Sequence, residues 1–222
     1  MSGARAGWPW LVWLGVGAAA IVVYFLLPND QWYRNSFYDL IGLTSAVIML
    51  VAVRKHRPTR ARLWYLFGAG QVLWVLGDLT YSFHVYVLGI EPFPSAADGL
   101  YLAAYPLLVG GLFILIRGRT SGRDRAGLID ACIIATGLGL LAWTFLMRPI
   151  AVDTSLDVVS RLVSLAYPTA DVLMLAMLAR LFTGPGARTA SYRLLVSALV
   201  LLLGSDIVYS LLTSFSRSSV HG

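Results

Sequence analysis

Carboxylates and phenols recur together at helical spacing in this chain. Asp98, Tyr101 and Tyr105 stand at i, i+3 and i+7 within "PSAADGLYLAAYP" (94–106). At about 100° per residue they share one helix face. Asp78 and Tyr81 repeat the arrangement in "GDLTYS" (77–82), as do Asp206 and Tyr209 in "SDIVYS" (205–210). Tyr167 and Asp171 invert it at i, i+4. A carboxylate beside a hydroxyl can hold a proton, a cation or a polar ligand. The same pair can also simply bond one helix to another.

The surroundings make these groups conspicuous. Hydrophobic residues are 58% of the 222 and charged residues only 13%. A soluble domain is nearer half apolar and a quarter charged. An aspartate inside a membrane costs about 2.5–3.5 kcal/mol on insertion scales, so it faces the bundle interior and seeks partners. Other chemistry lacks its residues. His56, His84 and His221 are scattered, and Cys132 is the sole cysteine, so neither a histidine nor a thiolate metal site is expected. No phosphate-binding glycine loop follows a strand. Lys55 is the only lysine and falls in the basic segment between two apolar stretches, so no Schiff-base chromophore is expected. No cofactor and no catalytic residue is expected. The net charge of +6 is concentrated in short loops, which points to membrane topology rather than to nucleic acid.

Seven apolar stretches must position the polar residues: 8–27, 35–53, 63–84, 97–116, 127–147, 158–182 and 191–214. Each is long enough to cross about 30 Å of hydrocarbon. Backbone groups in lipid must be satisfied internally, so the expected fold is an all-α integral membrane bundle, a single domain of about seven transmembrane helices. Basic residues cluster in "RKHRPTRAR" (54–62), in "RGRTSGRDR" (117–125) and in 180–193. The loop 84–98 between the first two has none. Thirteen of the 17 basic residues fall on one side, against Arg34, Arg148, Arg161 and Arg217 on the other. The positive-inside rule then puts the N-terminus in the cytoplasm. Seven helices leave residue 222 outside, so an eighth helix is expected beyond it. A weak repeat agrees: "LAAYP" (102–106) returns as "SLAYP" (164–168), and D-x-x-Y-S ends both the third and the seventh stretch. Pro106 and Pro168 each follow a tyrosine and are expected to kink their helices. A polar cavity open to the outer side, lined by the third, fourth, sixth and seventh helices, is the arrangement this pattern suggests.

Four stretches, "KHRPTRARLWYLFGAGQVLWVLGD", "PFPSAADGLYLAAYPLLVGGL", "DRAGLIDACIIATGLGLLAWTFL" and "LAYPTADVLMLAMLARL", together resemble a known family. It is the N-terminal multi-pass membrane region of actinobacterial signalling proteins that carry GGDEF or GGDEF–EAL output domains. The resemblance covers about residues 50–212, and P-S-x-A-D-x-x-Y-L-x-x-Y-P is its most specific part. It implies a sensor or input module in a bacterial plasma membrane, acting on a cytoplasmic cyclic di-GMP output domain in cis. It also implies a homodimer and a small ligand of unknown identity. Neither GGDEF nor EAL occurs in this chain, so the chain itself is expected not to be an enzyme. Two alternatives stand beside this reading: a small-solute transporter or part of one, and a passive anchor that localises and dimerises its output domain.

Overall fold

The computed structural model describes residues 9–28, 30–119, 125–184 and 190–220. It is all-helical, with no strand among the described residues. The helices are α1 (Pro9–Leu26), α2 (Gln31–His56), α3 (Ala61–Ser82), α4 (Ala96–Arg117), α5 (Arg125–Val152), α6 (Val158–Thr183) and α7 (Ala190–Val220). All seven apolar stretches of the sequence correspond to one helix each. A π-helical turn, Phe83–Val87, prolongs α3, and a second, Trp143–Met147, lies within α5. Both proline-bearing helices, α4 with Pro106 and α6 with Pro168, run through the proline without a break.

Four helices, α2, α4, α5 and α6, are long and apolar enough to cross a membrane. The apolar part of α1, Leu11–Leu26, is shorter. Large apolar side chains cover the outside: Trp13, Phe25, Leu40, Val51, Ile129, Ile133, Leu140 and Phe145 are all exposed. The aspartates Asp39 and Asp171 are buried instead. An apolar exterior around buried carboxylates is the distribution that lipid requires and water does not.

Local sequence sets the helix limits. Asp30 caps α2 by accepting from the Trp32 amide at 2.8 Å, which starts that helix earlier than hydropathy alone indicates. Asp157 caps α6, accepting from the amides of Val159 at 3.0 Å and Ser160 at 3.3 Å and from the Ser160 hydroxyl. These donors, the Ser160 hydroxyl foremost, hold its carboxyl below the usual carboxylate range.

The core is shared by α3, α4, α6 and α7, through Phe67, Tyr105, Leu112, Met174 and Leu203 among others. The most extensive contact is α3 on α4. Small residues allow it. A Cβ on Gly111 would lie 2.7 Å from the Phe67 ring, and one on Gly70 would lie 3.1 Å from Leu108. "GLGLLA" in α5 does less than its composition suggests, since nothing lies within 4 Å of a Cβ on Gly137.

The basic turns meet at one end of the bundle. Arg60 donates to the Gly118 carbonyl, joining the α2–α3 turn to the end of α4. The Arg119 guanidinium lies 4.3 Å over the Tyr192 ring of α7. Thr183 donates to Gly127 at 3.3 Å, joining α6 to α5. At the opposite end Asn35 donates to the Tyr86 hydroxyl at 2.9 Å.

Two outcomes are expected. Gly111→Ala should lower stability by about 1–3 kcal/mol through overpacking, while Gly137→Ala should be neutral or slightly stabilising. Denaturant unfolding in detergent micelles measures both, and equal effects would mean that α3 and α4 do not approach so closely. Asp157 stabilises the folded chain above its unfolded pKa of about 3.9, and this is lost as pH falls through the depressed folded value. The thermal advantage of the native chain over Asp157→Asn should therefore shrink as pH drops from about 5 to about 3, since an asparagine cap does not titrate.

Candidate functional site

The aspartates and tyrosines pair across helices, not along them. Tyr101 of α4 donates to Asp78 Oδ1 of α3 at 2.7 Å. Tyr105, also of α4, donates to Asp171 Oδ1 of α6 at 2.8 Å, in a buried bond. Tyr167 of α6 donates to Asp98 Oδ1 of α4 at 2.8 Å. These are ordinary O–H···O lengths. Asp98 and Tyr101 share a face as their spacing predicts, yet they do not bond each other. A phenol carries its hydroxyl well beyond the end of an aspartate on the same helix, so it reaches the neighbouring one.

The pairs 98–167 and 105–171 keep chain order, so α4 and α6 run in the same direction. Each helix gives the other one carboxylate and one hydroxyl. A third bond leads from α4 to α3. One helix thus holds two neighbours through three polar contacts inside an apolar bundle.

Asp98 has a second task. Its other oxygen accepts from the Ser95 amide at 2.7 Å and from the Ser95 hydroxyl at 3.0 Å, while Ser95 Oγ accepts from the Ala97 amide at 3.2 Å. This is a capping box with Ser95 at the cap, and it starts α4. Ser95 is the cap, and Asp98 is its partner three residues on.

The remaining candidates are placed differently. Asp171 is 9% exposed and lies midway along α6. On α7, Asp206 stands within electrostatic reach of Asp171, and its Oδ2 is buried with no hydrogen-bond partner among the described residues. Tyr81 is exposed on α3. The side chain of Tyr209 lies outside the described residues. Six of the nine candidate side chains, those of Asp78, Asp98, Tyr101, Tyr105, Tyr167 and Asp171, close on one another in three pairs.

Sequence reasoning left three contributors out of the site. Asp39 of α2 is 8% exposed and within electrostatic reach of Asp78. Trp74 of α3 packs its ring against Tyr101 and Tyr105, with centroids 6.0 and 5.7 Å apart. Gly77 makes room for Tyr101, whose ring would lie 2.5 Å from a Cβ there. Trp74, Gly77 and Asp78 stand at i, i+3 and i+4, so their common face was available as a signal.

This geometry can hold or release protons and can lock helices together. No group of three or more His, Cys, Asp or Glu able to hold a metal ion occurs among the described residues. Comparison of the chain with protein-family models, with curated proteins and with solved structures finds no match.

Tyr105→Phe removes a donor from a buried carboxylate and should cost about 1–3 kcal/mol. In a double-mutant cycle with Asp171→Asn the coupling should be roughly 0.6–1.7 kcal/mol, the range of hydrogen bonds between membrane helices. Zero coupling would mean that the two side chains do not interact.

Proposed function

We propose that this chain is a membrane-embedded input module whose signal is the arrangement of α3, α4 and α6. All seven helices cross a bacterial plasma membrane in this reading, with the N-terminus and the basic turns in the cytoplasm. The excess of arginine at one end of the bundle supports that orientation. A ligand, a proton or a change in the bilayer would act on the Tyr–Asp pairs, which run from the arginine-poor end to the middle of the bundle. Helices are stiff, so loss of one pair would move α4 against α6 and displace the basic turns. A cytoplasmic output domain in cis, of the cyclic di-GMP type implied by the resemblance, would receive that movement in a homodimer.

The carrying observation is the reciprocal exchange between α4 and α6. Each contributes a carboxylate and a hydroxyl, so the state of either aspartate bears on the same interface. One observation favours a second reading, a small-solute transporter. Asp206 Oδ2, which has no partner among the described residues and stands within electrostatic reach of Asp171, would suit a coupling-ion site between helices.

The complete reading frame that encodes this chain is the first test. A GGDEF sequence within it is the expected outcome. In cells expressing that frame, Asp78→Asn and Asp98→Asn should change cyclic di-GMP levels while membrane insertion persists. Unchanged output in both variants would leave a passive anchor. Solute uptake into proteoliposomes that disappears with Asp171→Asn would favour the transporter.

A further inference from the structure

A cavity of about 280 Å³ lies where α2 turns into α3, at the basic end and away from the Tyr–Asp pairs. Val53, Arg54, Arg57, Pro58, Ala61 and Tyr65 line it. Two guanidinium groups and a phenol therefore face one small space, and no carboxylate lines it. None is near in sequence either, since residues 40–77 contain no Asp or Glu. Asp39 and Asp78 are roughly 20 Å or more away along their helices at 1.5 Å per residue. That exceeds the screening length of about 8–10 Å at physiological salt. Neither the residues that line the cavity nor the helices that carry them, up to Asp39 and Asp78, supply a carboxylate to balance its charge.

The backbone adds a second observation. Arg57 has φ 40° and ψ 59°, and it is the only non-glycine residue with positive φ among those described. Its amide closes α2 by donating to the Val53 carbonyl at 3.0 Å. Glycine or asparagine would hold this left-handed position with less strain. An arginine there brings a guanidinium to the cavity against the preference of its backbone, the kind of strain found at ligand clamps. Arg60, the next arginine, is already engaged with Gly118.

The third observation names the ligand. Leu40, Leu43, Val47, Val51 and Arg54 follow one another on α2 at intervals of 3, 4, 4 and 3 residues. This is one helix face, and all five are exposed. An apolar strip about 20 Å long at 1.5 Å per residue ends in a cationic cavity. Acyl chain and phosphate are joined in the same order in a phospholipid. Arginine suits the phosphate because its planar fork donates two parallel hydrogen bonds.

We propose that this cavity binds the headgroup phosphate of an anionic phospholipid, with an acyl chain lying on the exposed strip of α2. The site rests on the membrane reading of these helices. It does not depend on what the Tyr–Asp pairs do. An anionic lipid here would brace the α2–α3 turn and, through Arg60 and Gly118, the end of α4.

The test uses the full chain purified in a nonionic detergent, after checking that it fractionates with membranes. A chain found in the aqueous fraction would refute the membrane reading itself. Native mass spectrometry then counts bound phosphatidylglycerol and phosphatidylcholine of identical acyl chains, with soluble glycerol 3-phosphate as a third probe. Phosphatidylglycerol should be retained about tenfold more than phosphatidylcholine, a difference worth about 1.4 kcal/mol. Glycerol 3-phosphate should not be retained. Arg54→Gln alone, on regular helix, should reduce phosphatidylglycerol retention. Adding Arg57→Asn, which suits the left-handed backbone, should bring it to the phosphatidylcholine level. Arg117→Gln, at the same end but outside the cavity, should leave it unchanged. Equal retention of the two lipids, or retention that survives both substitutions, would overturn the site. Retention of glycerol 3-phosphate matching that of the lipid would make it a site for soluble phosphate esters instead.

Discussion

An aspartate surrounded by apolar helices has few acceptable states. It must find a hydrogen-bond donor or lose its charge, because neither lipid nor a leucine-rich interface solvates it. In this protein the donors are tyrosines from neighbouring helices, and the rest of the packing follows from that. Tyr101 on Asp78, Tyr105 on Asp171 and Tyr167 on Asp98 fix where α3 and α6 stand relative to α4. Apolar contacts alone would set these positions less sharply, since one leucine surface resembles another. Polar pairs in a membrane interior are directional, so they select a register.

The pairs demand close helices, and the small residues supply them. Gly77 opposite Tyr101 lets a phenol lie against the α3 backbone, and Gly111 opposite Phe67 does the same from α4. Trp74 fills the space between the two α4 tyrosines. The neighbours α2 and α6 join this α3–α4 unit, while α1 touches only α2 appreciably. Polar specificity and steric permission therefore sit on the same two helices.

The two ends of the bundle differ in how cations are used. Arg34 donates to the Leu27 carbonyl at 3.3 Å, and Arg161 donates to the carbonyls of Asp153 at 2.6 Å and Leu156 at 3.0 Å. Those arginines tie down connections at the arginine-poor end. At the other end most of the basic residues gather, and Arg54 and Arg57 face a cavity that no carboxylate lines among the described residues. At the first end the Nη2 groups of Arg34 and Arg161 are engaged by carbonyls, while the Nε of each is buried without a partner among the described residues; at the other end Arg60 and Arg119 are engaged within the bundle and Arg54 and Arg57 line the cavity.

Helix number and the conspicuous polar residues were legible in the sequence because they depend on local pattern. Apolar runs of about twenty residues define the helices, Asp30 and Asp157 start two of them, and basic turns alternate along the chain. The aspartates and tyrosines stood out because the residues around them are apolar. Their partners were not legible. Helical spacing says which side chains share a face, but a tyrosine is longer than the aspartate beside it and reaches another helix. Only the tertiary structure could pair Asp98 with Tyr167, bring Asp39 toward Asp78 and wedge Trp74 between two phenols. It also decided that Ser95, not Asp98, caps α4, and that Arg57 turns left-handed to face a cavity. Those outcomes depend on the distance and direction between helices, and these are set by how all the side chains pack at once.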